Sequence, residues 1–259
     1  MTPPSRLREL FYQHEDRLIH KWDHYFDIYE QYFSKYVGKE LNILEIGISH
    51  GGSLQLWKKY FGDKVNIYAI DINPQCKQFE EENVKIFIGS QSDRKFLEEV
   101  RAQLPDMDII LDDGGHVMDQ QIISFETLYL KVKEGGVYMV EDTHTSYWHE
   151  FHGGLRKKGT FIEYSKNFID SLYDGHLVDK RQVLINDITK HINGIAFYDS
   201  IVVFDKKERK APFHLQRGKE TIESYVQVEL QKPSLFMQIK KKFRGNAEST
   251  FGTNFKGKK

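Results

Sequence analysis

Cysteine occurs once in the 259 residues, at Cys76, so there is no intrachain disulfide and no cluster of thiolate metal ligands. No apolar run approaches the roughly 20 residues that cross a bilayer. The amino terminus, Met-Thr-Pro-Pro-Ser-Arg, lacks the basic and apolar regions of a secretory signal, and a cytoplasmic location is expected. Charge of one sign is also missing. The formal net charge is −1, which gives no overall drive toward nucleic acid or an anionic membrane. No internal repeat is visible. What remains, 39% hydrophobic and 29% charged, is ordinary globular composition in a length that suits one large domain with appended segments.

Residues 5–36 read as helix, because Trp22, Tyr25, Phe26, Tyr29, Tyr32, Phe33 and Tyr36 recur at helical spacing and give one aromatic face. That face packs on a core, or Lys21, His24 or Tyr25 lids a polar ligand. After Gly38 strands and helices alternate. The predicted strands are 42–46, 66–70, 84–88, 107–111 and 136–140, with helices over 53–60, 93–103 and 119–131. Such alternation builds a parallel sheet with helices on both faces. Strands 194–198 and 201–205 are linked only by Asp199-Ser200, too short for a parallel crossover, so they form an antiparallel hairpin. Between them and the last parallel strand, 143–190 is long for a connection and is expected to overhang a site as a lid, with a helix near 160–173. The expected domains are a helical extension over 1–38, the α/β domain over 39–210, and a C-terminal extension over 211–259. That extension carries a basic tail with an apolar patch at Leu235, Phe236, Met237 and Ile239, read as a solvated tail, an oligomer arm or a weak membrane-surface contact.

Acidic residues end two of these strands: Asp113 in Ile-Ile-Leu-Asp-Asp-Gly-Gly-His, and Glu141 with Asp142 in Val-Tyr-Met-Val-Glu-Asp-Thr-His. In an open α/β sheet the carboxyl ends of the strands are where ligands bind. Three carboxylates emerging together there suit a hard divalent cation such as magnesium or manganese, with positions left for water or substrate.

The loop Leu-Glu-Ile-Gly-Ile-Ser-His-Gly-Gly-Ser (44–53) joins the first strand to its helix, where glycine permits a sharp turn and close backbone approach to a ligand. Its spacing is not the dinucleotide Gly-x-Gly-x-x-Gly, but it resembles the Glu-x-Gly loop of S-adenosylmethionine enzymes. Glu45, Gly47, Gly51 and Ser53 are its candidate cofactor residues. Asp71 ends the second strand, where an acidic residue can accept both hydroxyls of an adenosine ribose. Gln91, after the third strand, is the candidate adenine contact; Asp93 is an N-cap candidate for the next helix. Asp112 either holds the cofactor's amino group or orients Asp113.

Five parallel strands and a closing hairpin resemble the class I methyltransferase layout, a Rossmann-like seven-stranded sheet. Four blocks then resemble the macrocin and mycinamicin O-methyltransferase family over about 20–205: Leu-Glu-Ile-Gly with Gly-Gly-Ser-Leu, Ala-Ile-Asp-Ile-Asn-Pro, Asp-Asp-Gly-Gly-His, and Glu-Asp-Thr-His-Thr-Ser-Tyr-Trp. The resemblance implies S-adenosylmethionine and magnesium as cofactors and a sugar hydroxyl as the methyl acceptor. It implies Asp113, Glu141 and Asp142 as metal ligands and His116 as the base. An imidazole three residues past Asp113, with an ordinary pKa of about 6.5, suits that role. His144 is the second candidate base or a substrate contact. Tyr147 and Trp148 either stack on the sugar ring or pack the lid hinge. The expected partner is a sugar-containing small molecule or polysaccharide precursor, with no nucleic acid, and the expected state a homo-oligomer. Two alternatives stand beside this reading: a nucleic-acid methyltransferase on the same fold, which would need a basic surface, and a non-catalytic S-adenosylmethionine-binding protein.

Overall fold

A computed structural model of the chain describes residues 5–177, 179–219 and 221–222. The chain divides into two compact units, Met1–Lys210 and Ala211–Lys259. Among the described residues of the second unit there is no helix or strand. The basic tail and its apolar patch lie outside the described residues.

Strands β1 (Leu41–Ile46), β2 (Val65–Asp71), β3 (Val84–Ile88), β4 (Met107–Asp112) and β5 (Val132–Val140) are parallel, and β6 (Ile192–Phe197) and β7 (Val202–Lys206) close the sheet in the order β3-β2-β1-β4-β5-β7-β6. β7 runs antiparallel to β6, as the short link required, and also antiparallel to β5. The apolar runs of β1, β4 and β5 are buried on both faces, as expected of parallel strands covered by helices on each side.

Strand alternation divides the core in two. Ile43, Ile67, Ile109, Leu111 and Met139 face helices α1 (Arg6–Tyr12), α2 (Tyr25–Phe33) and α3 (Gly52–Phe61). Leu44, Ile46, Ile110, Tyr138 and Val140 face α4 (Arg94–Gln103), α5 (Met118–Leu128) and α6 (Phe161–Leu172). On the first side Trp57 is fully buried among Tyr29, Phe33 and Phe61. On the second, Phe125 meets Phe161, Phe168 and Phe204. A short helix α7 (Asp187–His191) leads into β6. Asp93 caps α4 by accepting from the Lys95 and Phe96 amides.

Two sequence-based expectations change. The region read as continuous helix over 5–36 is α1, a non-helical strap over 13–24, and α2. Tertiary contacts outweigh helical propensity there. The carbonyls of Arg17 and Leu18 lie against Gly52, the Arg17 guanidinium stacks 4.5 Å over the Phe79 ring, and Lys21 turns into the carboxyl ends of the strands. Trp22, assigned to the buried face, is half exposed. The 143–190 insertion, expected to overhang a site as a lid, places Phe161 and Phe168 of α6 in the core.

The strap depends on the missing side chain at Gly52. A Cβ built there would collide with the Arg17 carbonyl and come within 2.5 Å of the Leu18 carbonyl. Gly52→Ala is therefore expected to push the strap away at a cost of about 1–3 kcal/mol, although alanine favours the helix itself. Thermal melting and limited proteolysis within 13–24 check this; unchanged resistance to cleavage would contradict it.

Candidate active site

The alternation that builds the core also aims three carboxyl groups at one face. Glu45 near the end of β1, Asp113 just past β4 and Glu141 just past β5 follow the inward positions Ile43, Leu111 and Met139, and β1, β4 and β5 are neighbours. Glu45 and Glu141 are fully buried. Glu45 accepts from Ser53 Oγ at 2.8 Å and Trp57 Nε1 at 3.2 Å, while its Oε1 has no hydrogen-bond partner. Lys21 enters from the strap. Its Nζ donates to Asp113 Oδ2 at 2.5 Å and to Glu141 Oε2 at 2.8 Å.

Helix α2 contributes two phenols one turn apart. Tyr29 donates to Glu141 Oε1 at 2.5 Å and Tyr25 to Asp142 Oδ1 at 2.5 Å. Asp142 and His116 both adopt left-handed backbone, with φ of 52° and 55°. Non-glycine residues in that region are uncommon and strained. Tertiary bonds hold them: Thr145 Oγ1 donates to the His116 carbonyl, and the Thr143 amide donates to the Ser200 carbonyl. As a result His116 Nε2 lies 3.3 Å from Asp142 Oδ2 and 4.0 Å from Asp113 Oδ1. Asp113, His116 and Asp142 offer ligand atoms that all lie within 4.8 Å of one another.

The charges do not balance. Burial opposes the Lys21 charge, but Asp113 and Glu141 outweigh it and raise the lysine pKa. The ammonium therefore stays charged. Burial pushes Glu45 up to about 7 against the pull of Lys21, and Asp113 likewise to about 7. Burial and the neighbouring Asp113 push Glu141 to about 8, with Lys21 and Tyr29 opposing. One ammonium cannot hold two buried carboxylates and the half-buried Asp113 all ionised. Burial also lowers the His116 pKa, with Asp142 opposing and Lys21 and His144 adding to the shift, so its imidazole is neutral at neutral pH.

These donors are hard oxygens with one imidazole, and the carboxyl groups outnumber the one ammonium among them. They fit a divalent cation.

A cavity of about 490 Å³ runs from the strap and the glycine loop to this cluster. That is within the usual range for a small-molecule site. Gly47, Ser53, Asp71, Gln91, Asp113, His116 and Asp142 line it, as do Leu18 to Lys21. Gly47 has φ of 84°, and a Cβ there would collide with the Asp113 carbonyl, so glycine lets the β1 loop lie against the β4 loop. Asp71 Oδ2 accepts from the Ile48 and Ser49 amides, which ties the ribose candidate to the glycine loop.

Other candidates stand behind the cavity wall. Asp112, on the opposite face of the sheet from Asp113, is buried and accepts from Gln91 Nε2 and from the Tyr138 hydroxyl. Gln91 borders the cavity with its amide committed to Asp112, Ser124 and the Gly115 amide. Glu45, Gly51 and Glu141 do not line the cavity. Glu141 is also absent from the compact group, and its two oxygens accept from Lys21 and Tyr29. His144 Nδ1 lies 3.9 Å from Asp142 Oδ1, and the ring sits between Trp22 at 5.9 Å and Trp148 at 4.6 Å.

Helical spacing marks Tyr29 only as a core aromatic. Its position one turn from Tyr25 on a buried face was the available signal, since buried phenols seek polar partners. The sequence offers Lys21 only as part of a lid.

No family model matches the chain. It is 32% identical over 189 residues to demethylmacrocin O-methyltransferase of Streptomyces fradiae, covering 69% of this chain and 47% of that enzyme. It is 29% identical over 188 residues to mycinamicin VI 2''-O-methyltransferase of Micromonospora griseorubida, with the same coverages of 69% and 47%. The chain is homologous to the macrocin and mycinamicin sugar O-methyltransferases. It spans about half the length of these curated relatives. The solved MycE methyltransferase of the mycinamycin pathway, in complex with Mg and SAH, matches with a TM-score of 0.71 and 27% identity, over 79% of this chain and 55% of that one. The sheet is thus the class I methyltransferase fold.

Removing the Tyr29 hydroxyl isolates the buried carboxylate. Tyr29→Phe keeps the aromatic packing and takes one donor from Glu141, a loss expected to cost on the order of 1–3 kcal/mol. Urea unfolding of the two proteins reads it directly; equal midpoints would mean that the bond contributes nothing.

Proposed function

We propose that this protein is an S-adenosylmethionine-dependent, divalent-metal-dependent O-methyltransferase acting on a sugar hydroxyl. The observation that carries the reading is the single cavity joining the glycine loop and Asp71 to the Asp113, His116 and Asp142 cluster. Cofactor and acceptor sites must adjoin in this way for a methyl group to pass between them.

In this reading Asp71 accepts the ribose hydroxyls and Gly47 and Ser53 border the methionine portion. The unpartnered Glu45 Oε1 is the acceptor available to the cofactor's ammonium from behind the loop, and Gly51 supplies the turn into α3. Gln91 and Asp112 hold the wall near adenine. Asp113, Glu141 and Asp142 are the metal ligands. A divalent cation held there would supply Lewis acidity that orients an acceptor hydroxyl and lowers the cost of its deprotonation. His116, neutral and facing the cluster through Nε2, takes the hydroxyl proton as the oxygen attacks the sulfonium methyl. His144, flanked by Trp22 and Trp148, contacts the sugar, whose apolar faces suit indole rings.

The acceptor is a sugar-bearing small molecule or a polysaccharide precursor. Demethylmacrocin and mycinamicin VI name the substrates of relatives. Acids at the ends of β4 and β5 disfavour a nucleic-acid acceptor. The domains read as a helical extension over 1–38, a catalytic domain over 39–210 and a C-terminal extension over 211–259, and we take the state to be a homo-oligomer. Among the described residues no helix is long and apolar enough to cross a membrane. A single unpaired cysteine, buried at Cys76, suits a cytoplasmic enzyme.

Chelator-treated protein should bind S-adenosylmethionine in calorimetry yet transfer no methyl group to sugar acceptors until magnesium or manganese is restored. Full turnover in excess chelator would end the metal reading. Asp71→Ala should weaken cofactor binding by roughly 1.5–3 kcal/mol and leave metal affinity unchanged.

His116→Ala should retain metal affinity and lose on the order of 10²–10⁴ in rate. Asp142→Ala should lose both. A His116→Ala protein that no longer binds metal would make His116 a ligand rather than a base.

A further inference from the structure

The mechanism above leaves Lys21 unused, although it is the most deeply engaged cation of the site. Its side chain is 3% exposed and lies between two carboxylates that the proposed function assigns to the metal. The contacts are specific, with Nζ 2.5 Å from Asp113 Oδ2 and 2.8 Å from Glu141 Oε2. A magnesium ion takes oxygen ligands at about 2.0–2.1 Å and bridges them only from the space between. The ammonium nitrogen already fills that space for this pair of oxygens. A cation at bonding distance from both would overlap the ammonium and meet its charge at contact range.

We infer that Lys21 competes with the divalent cation for Asp113 Oδ2 and Glu141 Oε2, and that metal binding expels its side chain from the carboxylate cluster. The inference rests on the metal site proposed above. The charges favour the exchange, because a doubly charged ion replaces a singly charged one among clustered carboxyl groups. Lys21 in turn keeps the cradle assembled by preventing bare carboxylates from repelling one another. It also sets the metal concentration at which the cluster fills, since every binding event must first break two buried ion pairs. Beyond these two carboxylates Lys21 Nζ meets the Tyr29 ring at 5.9 Å, and its backbone belongs to the non-helical strap over 13–24 and not to a helix. A strap can release one side chain without unwinding a regular element.

Two measurements on the full chain test this, neither of which uses turnover. In calorimetry with magnesium chloride and no acceptor, Lys21→Met should bind the ion at least tenfold more tightly than the unsubstituted protein. Lys21→Arg, which retains the charge, should not. In amine acetylation read by mass spectrometry on the unsubstituted protein, Lys21 should be protected in chelator and become reactive in saturating magnesium, relative to the exposed Lys64. Weaker or unchanged binding by Lys21→Met overturns the inference, as does continued protection of Lys21 in a protein shown by calorimetry to hold magnesium. If Lys21→Met folds poorly, the acetylation experiment decides alone. If only Lys21→Met binds magnesium, the competition is confirmed in its strongest form. Binding by neither protein would overturn the metal reading itself, and this inference with it.

Discussion

Buried negative charge at the carboxyl ends of β1, β4 and β5 is the constraint around which the site is organised. Glu45, Asp113 and Glu141 point to one face because each continues a strand whose alternate residues face α1 to α3. An isolated carboxylate in such a place is costly, and three together repel one another. Cations, hydrogen-bond donors or protonation must compensate, and the first unit supplies the first two. Lys21 brings the charge, while Tyr29, Ser53 and Trp57 bring donors.

The compensation shapes the local structure. Helix α2 lies where Tyr25 and Tyr29 reach Asp142 and Glu141. The strap abandons helix so that Lys21 reaches the cluster, and its path over Gly52 makes Leu18 to Lys21 a wall of the cavity. The same segment therefore borders the glycine loop and the carboxylates. His116 and Asp142 complete the arrangement from strained backbone held by Thr145 and by the β7 approach at Ser200. Strain of this kind persists only where the surroundings over-determine it.

Much of this was open to reading from the sequence. Alternating apolar runs separated by helical segments dictated a parallel sheet, and Asp199-Ser200 was too short to allow anything but an antiparallel closing pair. The placement of Asp113 and Glu141 at strand ends followed from the same pattern. Helical spacing of aromatics misled over 13–24, because periodicity reports which face is apolar and carries no information about a lysine drawn into a distant acidic cluster.

Residue order by itself therefore determined the strands, their direction and the positions of the acidic blocks, since these follow from local periodicity and link length. Tertiary structure alone decided which groups meet. Lys21 lies 92 residues from Asp113 and 120 from Glu141, and Tyr29 lies 112 residues from Glu141. It also separated the acids by position, burying Glu45 and Glu141, leaving Asp113 and Asp142 on the cavity and turning Asp112 to the other face. Contacts over such separations depend on the register of adjacent strands and the path of the strap, which are set by the packing of the whole core.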